Sequence, residues 1–190
     1  MASLINTFFL PSARWPEYGQ WLSRLDQETL SNYFGVITKQ PTIDSLIQKM
    51  LVSKDCHHVL VATKNNSWIG TTHIATSREN VEFGLIVSPQ YRQRGIASLM
   101  LDESIVWARN RGFVYLFMHC INQNIAIQGL CRKYQLIPRN VMGDLEVKFQ
   151  LASPNTQSLL KEFLLKQIKL IQLTTIFWPA QHDSNVRPTP

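Results

Sequence analysis

"VEFGLIVSPQYRQRGIASLML", residues 81–101, runs from an apolar strand through a short turn into a helical segment. The strand ends at Val87, the chain turns through Pro89, and a helix begins near Arg94 or Gly95. The first N–H groups of such a helix have no intrahelical acceptor, and the macrodipole makes that end positive. Gly95 lets a ligand approach the backbone with no Cβ in the way, and Ala97 keeps the second turn small. Arg92 and Arg94, on either side of Gln93, add full charges suited to phosphate. Together these features make a cradle for a pyrophosphate. Glu82 is a carboxylate in an otherwise apolar strand, and that calls for an explanation.

The elements around this core alternate in a consistent way. Residues 5–10 read as a first strand, "PEYGQWLSRLD" and "QETLSNYFG" as two short helices, and 41–53 as a third with an amphipathic stripe. "HHVLVAT" (57–63) and "WIGTTHIATS" (68–77), joined by "KNNS", predict an antiparallel hairpin. The helix 94–109 places Ile96, Leu99, Met100, Val106 and Trp107 on one side and stops where Gly112 can take a left-handed conformation. "FVYLFMHC" (113–120) reads as a strand buried on both faces, followed by a short helix over 124–134 and two last strands. The fold class is α/β, with a strand-to-helix anion site in the middle.

The tail differs. "SPNTQSLLKEFLLKQIKLIQL" is a helix with Leu160, Leu164, Ile168 and Ile171 on one face. It can dock on its own domain, pair with another subunit or lie on a membrane surface, with docking the default. The expected organisation is a domain over 1–152, a helical extension over 153–178 and a disordered tail over 179–190.

Composition narrows the class. The chain has 190 residues, 45% of them hydrophobic and 17% charged, which describes an ordinary globule. Cys56, Cys120 and Cys131 show no metal-ligand spacing, and an odd count argues against a disulfide framework. The N-terminus lacks a basic segment before its apolar run, and no stretch reaches about 18 uncharged apolar residues. These features point to a cytoplasmic protein without a resident metal. A net charge of +6 fits a solvated basic surface or a site for an anionic cofactor. Nucleic-acid binding is a minor reading, since no Lys/Arg run or interleaved aromatic pattern accompanies the charge.

"IVSPQYRQRGIASLML" resembles the signature of the GCN5-related N-acetyltransferases, the GNAT superfamily, whose R/Q-x-x-G-x-G/A loop holds the acetyl-CoA pyrophosphate. "NIAIQGLCRKYQL" resembles a second segment of that family, with Asn124, Ile127, Leu130, Cys131 and Leu136 at the matching positions. "WLSRLDQETLSNYFG" is similar to the front of bacterial Pat-type protein-lysine acetyltransferase domains, which carry a Glu at the position of Glu82. The resemblance spans about residues 4–152. It implies a mixed, mostly antiparallel sheet of six to seven strands flanked by helices. It implies an enzyme that passes an acetyl group from acetyl-CoA to a primary amine by direct attack in a ternary complex. The donor would lie against Leu85, Ile86 and Val87, the loop Arg92, Gln93, Arg94, Gly95, Ile96, Ala97 and Ser98, and Asn124.

Two departures stand out. The family's usual Gly-Phe is Gln135-Leu136, and the Tyr that often protonates the departing thiolate corresponds to Cys131. An amine of pKa about 10.4 is neutral in only about one molecule in 10³ at pH 7, a deficit of roughly 4–5 kcal/mol. A carboxylate that takes the amine proton offsets part of this, and Glu82 is the candidate base. Its bland alternative is a solvent-facing strand residue paired with a Lys or Arg. Cys131 is the candidate acid, and its alternative is a small buried hydrophobe. Adjacent His57 and His58 face opposite sides of a strand and cannot share a metal; Glu103 reads as a buried salt bridge and Tyr134 as core. The competing function is a CoA-binding regulatory or interaction module that has lost catalysis. The acceptor, protein lysine or small amine, is open at this point, and a homodimer through the C-terminal helix is one option for assembly.

Overall fold

A computed structural model describes the backbone of residues 5–121, 125–141 and 144–177, and the side chains of residues 5–119, 128–140 and 145–169. In chain order the elements are β1 (Ile5–Phe9), α1 (Trp15–Ser23), α2 (Gln27–Phe34), α3 (Gln40–Val52), β2 (His57–Lys64), β3 (Ser67–Ser77) and β4 (Asn80–Val87). They continue as α4 (Ile96–Asn110), β5 (Tyr115–Ile121), α5 (Ile125–Lys133), β6 (Pro138–Val141), β7 (Asp144–Gln150) and α6 (Thr156–Phe177). Local signals account for several boundaries. The Asp26 carboxylate accepts from the Thr29 N–H at 2.8 Å and caps α2. Gly35 and Gly112 take left-handed conformations just past α2 and α4.

The seven strands form one sheet in the order β1-β2-β3-β4-β5-β7-β6. All neighbours are antiparallel except β4 and β5. The parallel ladder is short: Asn80 pairs with Tyr115, Val81 with Leu116 and Glu82 with Phe117, and there it ends. Beyond Glu82 the two strands part, so β4 carries the backbone groups of Phe83–Val87 into a gap in the sheet.

Strand periodicity sorts the core into two layers. Val59, Val61 and Ile86 face α1–α3 and pack with Trp15, Tyr18, Leu22 and Met50. Val81, Phe83, Ile74, Leu116 and Met118 face the other way and pack with Leu101 of α4 and Leu130 and Cys131 of α5. Glu82 and Gly84 alternate with Val81 and Phe83, so they lie on the α1–α3 side. Those helices stop short of covering this end of the sheet.

Three expectations change. The strand 113–120 is not buried on both faces: Leu116 and Met118 are buried, whereas His119 is exposed and Tyr115 and Phe117 are half-buried. On that face the Lys148 ammonium lies over the Tyr115 ring at 4.3 Å and the Phe117 ring at 5.5 Å, where a fully buried strand would have apolar packing. Leu99 lies on the exposed side of α4, and Leu101, Ser104 and Ala108 take the core-facing positions. The C-terminal helix docks on its own domain, but through its polar side. Asn110 donates to the Glu162 carboxylate at 2.6 Å, Arg111 donates to it at 3.2 Å, and Lys169 pairs with Glu103. Leu160, Leu164 and Ile168 point outward, each about half exposed.

Glu103 is 8% exposed and also accepts from the Thr7 hydroxyl at 2.5 Å, so β1, α4 and α6 converge on one carboxylate. Removing the cation strands that charge. Lys169→Met should destabilise the fold by about 2–3 kcal/mol, less than a fully buried pair because Lys169 keeps some solvent contact. Urea denaturation measures this, and an unchanged midpoint would show that Thr7 alone satisfies Glu103.

Candidate active site

Two cavities meet at the gap between β4 and β5. The first, about 310 Å³, is walled by Leu85, Ile86 and Val87 of β4, the loop after it, the start of α4, and Gly129, Leu130 and Lys133 of α5. Gly95 is the N-cap of α4 at φ 77°, a left-handed conformation that penalises any side chain. No side chain caps the helix there, and the N–H of Leu99 is the first to find a carbonyl, that of Gly95, at 3.0 Å. The N–H groups of Ile96, Ala97 and Ser98 thus point toward the cavity mouth as an anion site. Gln93 also has positive φ, 59°, which turns the loop back on itself.

The arginines divide. Arg92 donates to the Val87 carbonyl at 3.2 Å and to the Thr29 hydroxyl at 2.5 Å, and Thr29 in turn donates to Asp26 at 2.6 Å. Arg92 therefore braces the loop against α2 while still lining the cavity. Arg94 is exposed, lies over the Tyr91 ring at 5.6 Å and does not line the cavity wall. Lys133 of α5 does line it.

The second cavity, about 370 Å³, opens on the α1–α3 side of the sheet. Glu82 is on its floor, exposed, with Ala75 of β3 and Phe117 of β5 as its Cα partners. Lys49 of α3, His57, His73 and His119 also line it. His57 Nδ1 and His73 Nε2 are 3.1 Å apart and the rings stack at 5.2 Å. Burial, with His57 and Lys49 adding positive charge nearby, pushes His73 down to about 3; His57 is lowered as well, first by burial and then by Lys49. Both rings are neutral at pH 7 and share one proton across the contact.

Tyr33 of α2, with Asn32 and Leu85, lines both cavities. Its hydroxyl hangs over Gly84 so closely that a Cβ there would sit 2.6 Å from it, so a larger residue at 84 would have to displace the Tyr33 ring. Burial, with the Glu82 charge adding, pushes the phenol up to about 12, so it stays protonated.

The structure brings Glu82, the β4 backbone and the 92–98 loop to one place and leaves Cys131 elsewhere. The Cys131 thiol is 2% exposed, packs in the layer with Leu130 and Leu136, and lines neither cavity. Burial raises its pKa. Tyr134 is more than core: its hydroxyl donates toward Asp102 at 2.8 Å and the Ser98 carbonyl at 3.1 Å, tying α5 to the first turn of α4. Asn124 lies outside the described residues. Sequence reading missed Tyr33, Lys49, Lys133 and the His57–His73 pair, all of which reach the cavities by tertiary packing. Among the described residues no group of His, Cys, Asp and Glu could hold a metal ion, and no helix is long and apolar enough to cross a membrane.

The family model of the acetyltransferase (GNAT) family matches residues 13–135, more than half of the 190. The chain belongs to the GNAT acetyltransferase family. Solved GNAT structures share its fold. An N-acetyltransferase from Staphylococcus aureus Mu50 is 18% identical, with a TM-score of 0.60 over 79% of this chain and 100% of that one. The GNAT domain of Streptomyces lividans PAT is 14% identical, with a TM-score of 0.63 over 76% and 89%. A PaiA N-acetyltransferase from Thermoplasma acidophilum, solved with coenzyme A, is 17% identical, with a TM-score of 0.60 over 77% and 99%. No curated protein matches the chain. The seven-stranded mixed sheet flanked by helices is thus the GNAT fold, here followed by α6.

The histidine pair gives this GNAT protein a pH signature. Unfolded His73 binds a proton near pH 6.5, whereas folded His73 does so only near 3. Below 6.5 the unfolded state therefore holds more protons, and stability falls with pH. Between pH 7.5 and 5 the loss from this group should be about 2 kcal/mol. Urea midpoints of wild type and His73→Phe at the two pH values test this; equal losses in both proteins would place the titration elsewhere.

Proposed function

We propose that the protein transfers the acetyl group of acetyl-CoA to a primary amine by direct attack, with the donor in the first cavity and the amine in the second. The observation that carries this reading is the shared wall: the cavities meet at Leu85 and Tyr33, beside the point where the β4–β5 ladder ends. The coenzyme A complex of the Thermoplasma relative supports the donor assignment. In this reading the N–H groups of Ile96–Ser98 take the pyrophosphate, with Arg92, Gln93 and Lys133 around it. Arg94 reaches it by swinging off Tyr91, and the freed backbone of Leu85–Val87 holds the pantetheine arm. The family resemblance adds Asn124, which lies outside the described residues, to this set.

Acetyl-CoA supplies an activated thioester carbonyl. Glu82 takes the proton of the incoming ammonium, directly or through one water. Tyr33, held protonated, presents a hydroxyl at the shared wall that donates a hydrogen bond to the oxygen or sulfur gaining charge. Burial on the far layer argues against a role for Cys131 in returning the proton. Cys131→Ala should keep kcat within about threefold, whereas a loss beyond tenfold would restore the acid role.

The domain 1–152 carries this chemistry and α6 is an extension to it. The outward row Leu160, Leu164 and Ile168 offers a surface on which a second copy of the chain would sit, and sedimentation velocity reads whether it does. The absence of disulfide spacing supports a cytoplasmic setting. A specific observation favours a second reading as well: with Cys131 removed from the site, the protein could bind CoA without turnover. Free-thiol release across an amine panel separates the two. Release that requires both protein and amine supports transfer; acetyl-CoA binding without release on any amine supports the binding module.

A further inference from the structure

We propose that the acceptor is an amino-carboxylate, a small molecule bearing its amine and a carboxylate close together, bound between Glu82 and Lys49. The inference rests on the transferase reading and deepens it. Lys49, on α3, and Glu82, on β4, both line the acceptor cavity and are the only Lys, Arg, Asp or Glu among its described lining residues. Lys49 has no ion-pair partner among the described residues, in contrast to Lys166 and Lys169, which are both paired. Its charge acts on both His57 and His73, which line the same cavity. Those rings are neutral, so they do not cancel or reinforce it.

Lys49 and Glu82 thus give the cavity one positive and one negative group, and His119 at its edge lies 4.0 Å from the Glu146 carboxylate. A diamine or polyamine brings a second positive charge toward Lys49 and is repelled. A plain monoamine satisfies Glu82 and leaves Lys49 unmatched. An amino-carboxylate enters as a zwitterion whose polarity complements the cavity: its ammonium goes to Glu82, where the proton is removed, and its carboxylate goes to Lys49. Phe34, Leu46 and Met118 offer apolar surface for its remaining atoms. A volume of about 370 Å³ lies at the low end of small-molecule sites and suits a free amino acid better than a folded protein segment.

Matched pairs that differ only in the carboxylate test this: leucine against isopentylamine, phenylalanine against phenethylamine, lysine against cadaverine, each followed by thiol release. The wild type should favour the carboxylate member of at least one pair at least tenfold in kcat/KM, and the difference should sit in KM. Lys49→Glu, at an exposed position, should raise KM for that amino acid at least tenfold, lower it for cadaverine, and keep the melting temperature. Preference for the decarboxylated member in every pair, or an unchanged ratio in Lys49→Glu, would overturn the proposal and leave the transferase reading standing. No transfer to any member, with acetyl-CoA bound by calorimetry, would overturn the proposal, and no release on a wider panel that includes a lysine peptide would overturn the transferase reading as well.

Discussion

Glu82→Gln is expected to lower kcat by about 10²–10³-fold, within the range of general-base contributions. The amide keeps the shape of the side chain but cannot accept the amine proton. Because Glu82 is exposed on the cavity floor and makes no ion pair among the described residues, the fold should not register the change, and the melting temperature should hold. Acetyl-CoA affinity should move by no more than a few-fold, since Glu82 lines only the acceptor cavity. The rate of the variant should also climb with pH up to the acceptor's own pKa, because only the free amine then reacts. Turnover within threefold of wild type would remove Glu82 as base and return it to a solvated strand residue.

Gly95→Val is expected to weaken acetyl-CoA binding at least 100-fold. Gly95 sits at φ 77°, where a β-branched residue carries strain of about 1–3 kcal/mol. The new Cβ would meet no protein atom within 4 Å, so the cost comes from the backbone conformation and not from a clash. The strain shifts the N-terminus of α4 and moves its free N–H donors out of line. Calorimetric titration with acetyl-CoA reads the loss, and circular dichroism confirms that the sheet persists. Retained tight binding would place the anion elsewhere.

The contrast between these two residues and the rest of the site shows what a sequence exposes. The segment from Val81 to Leu101 was legible because its geometry is local: an apolar strand, a turn with positive φ and an uncapped helix start follow from neighbouring residues. Most element positions were legible for the same reason. Tyr33, Lys49 and His57 were not. They come from α2, α3 and β2, and only the packing of those elements against β4 puts them in the cavities. Cys131 has a matching position on a helix, which does not fix the direction in which that helix turns its side chains; the residue packs in the layer with Leu130. In α6 the regular row Leu160, Leu164, Ile168 suggested a buried face. Docking went instead to Glu162 and Lys169, because α4 offers Asn110, Arg111 and the otherwise uncompensated Glu103.

The most direct measurement is a crystal structure of the protein with coenzyme A bound. The pyrophosphate should lie within hydrogen-bond distance of the Ile96–Ser98 amides, and the thiol should end beside Leu85 and Tyr33, at the opening between β4 and β5. A pyrophosphate bound away from the start of α4, or a thiol remote from the Glu82 cavity, would contradict the account.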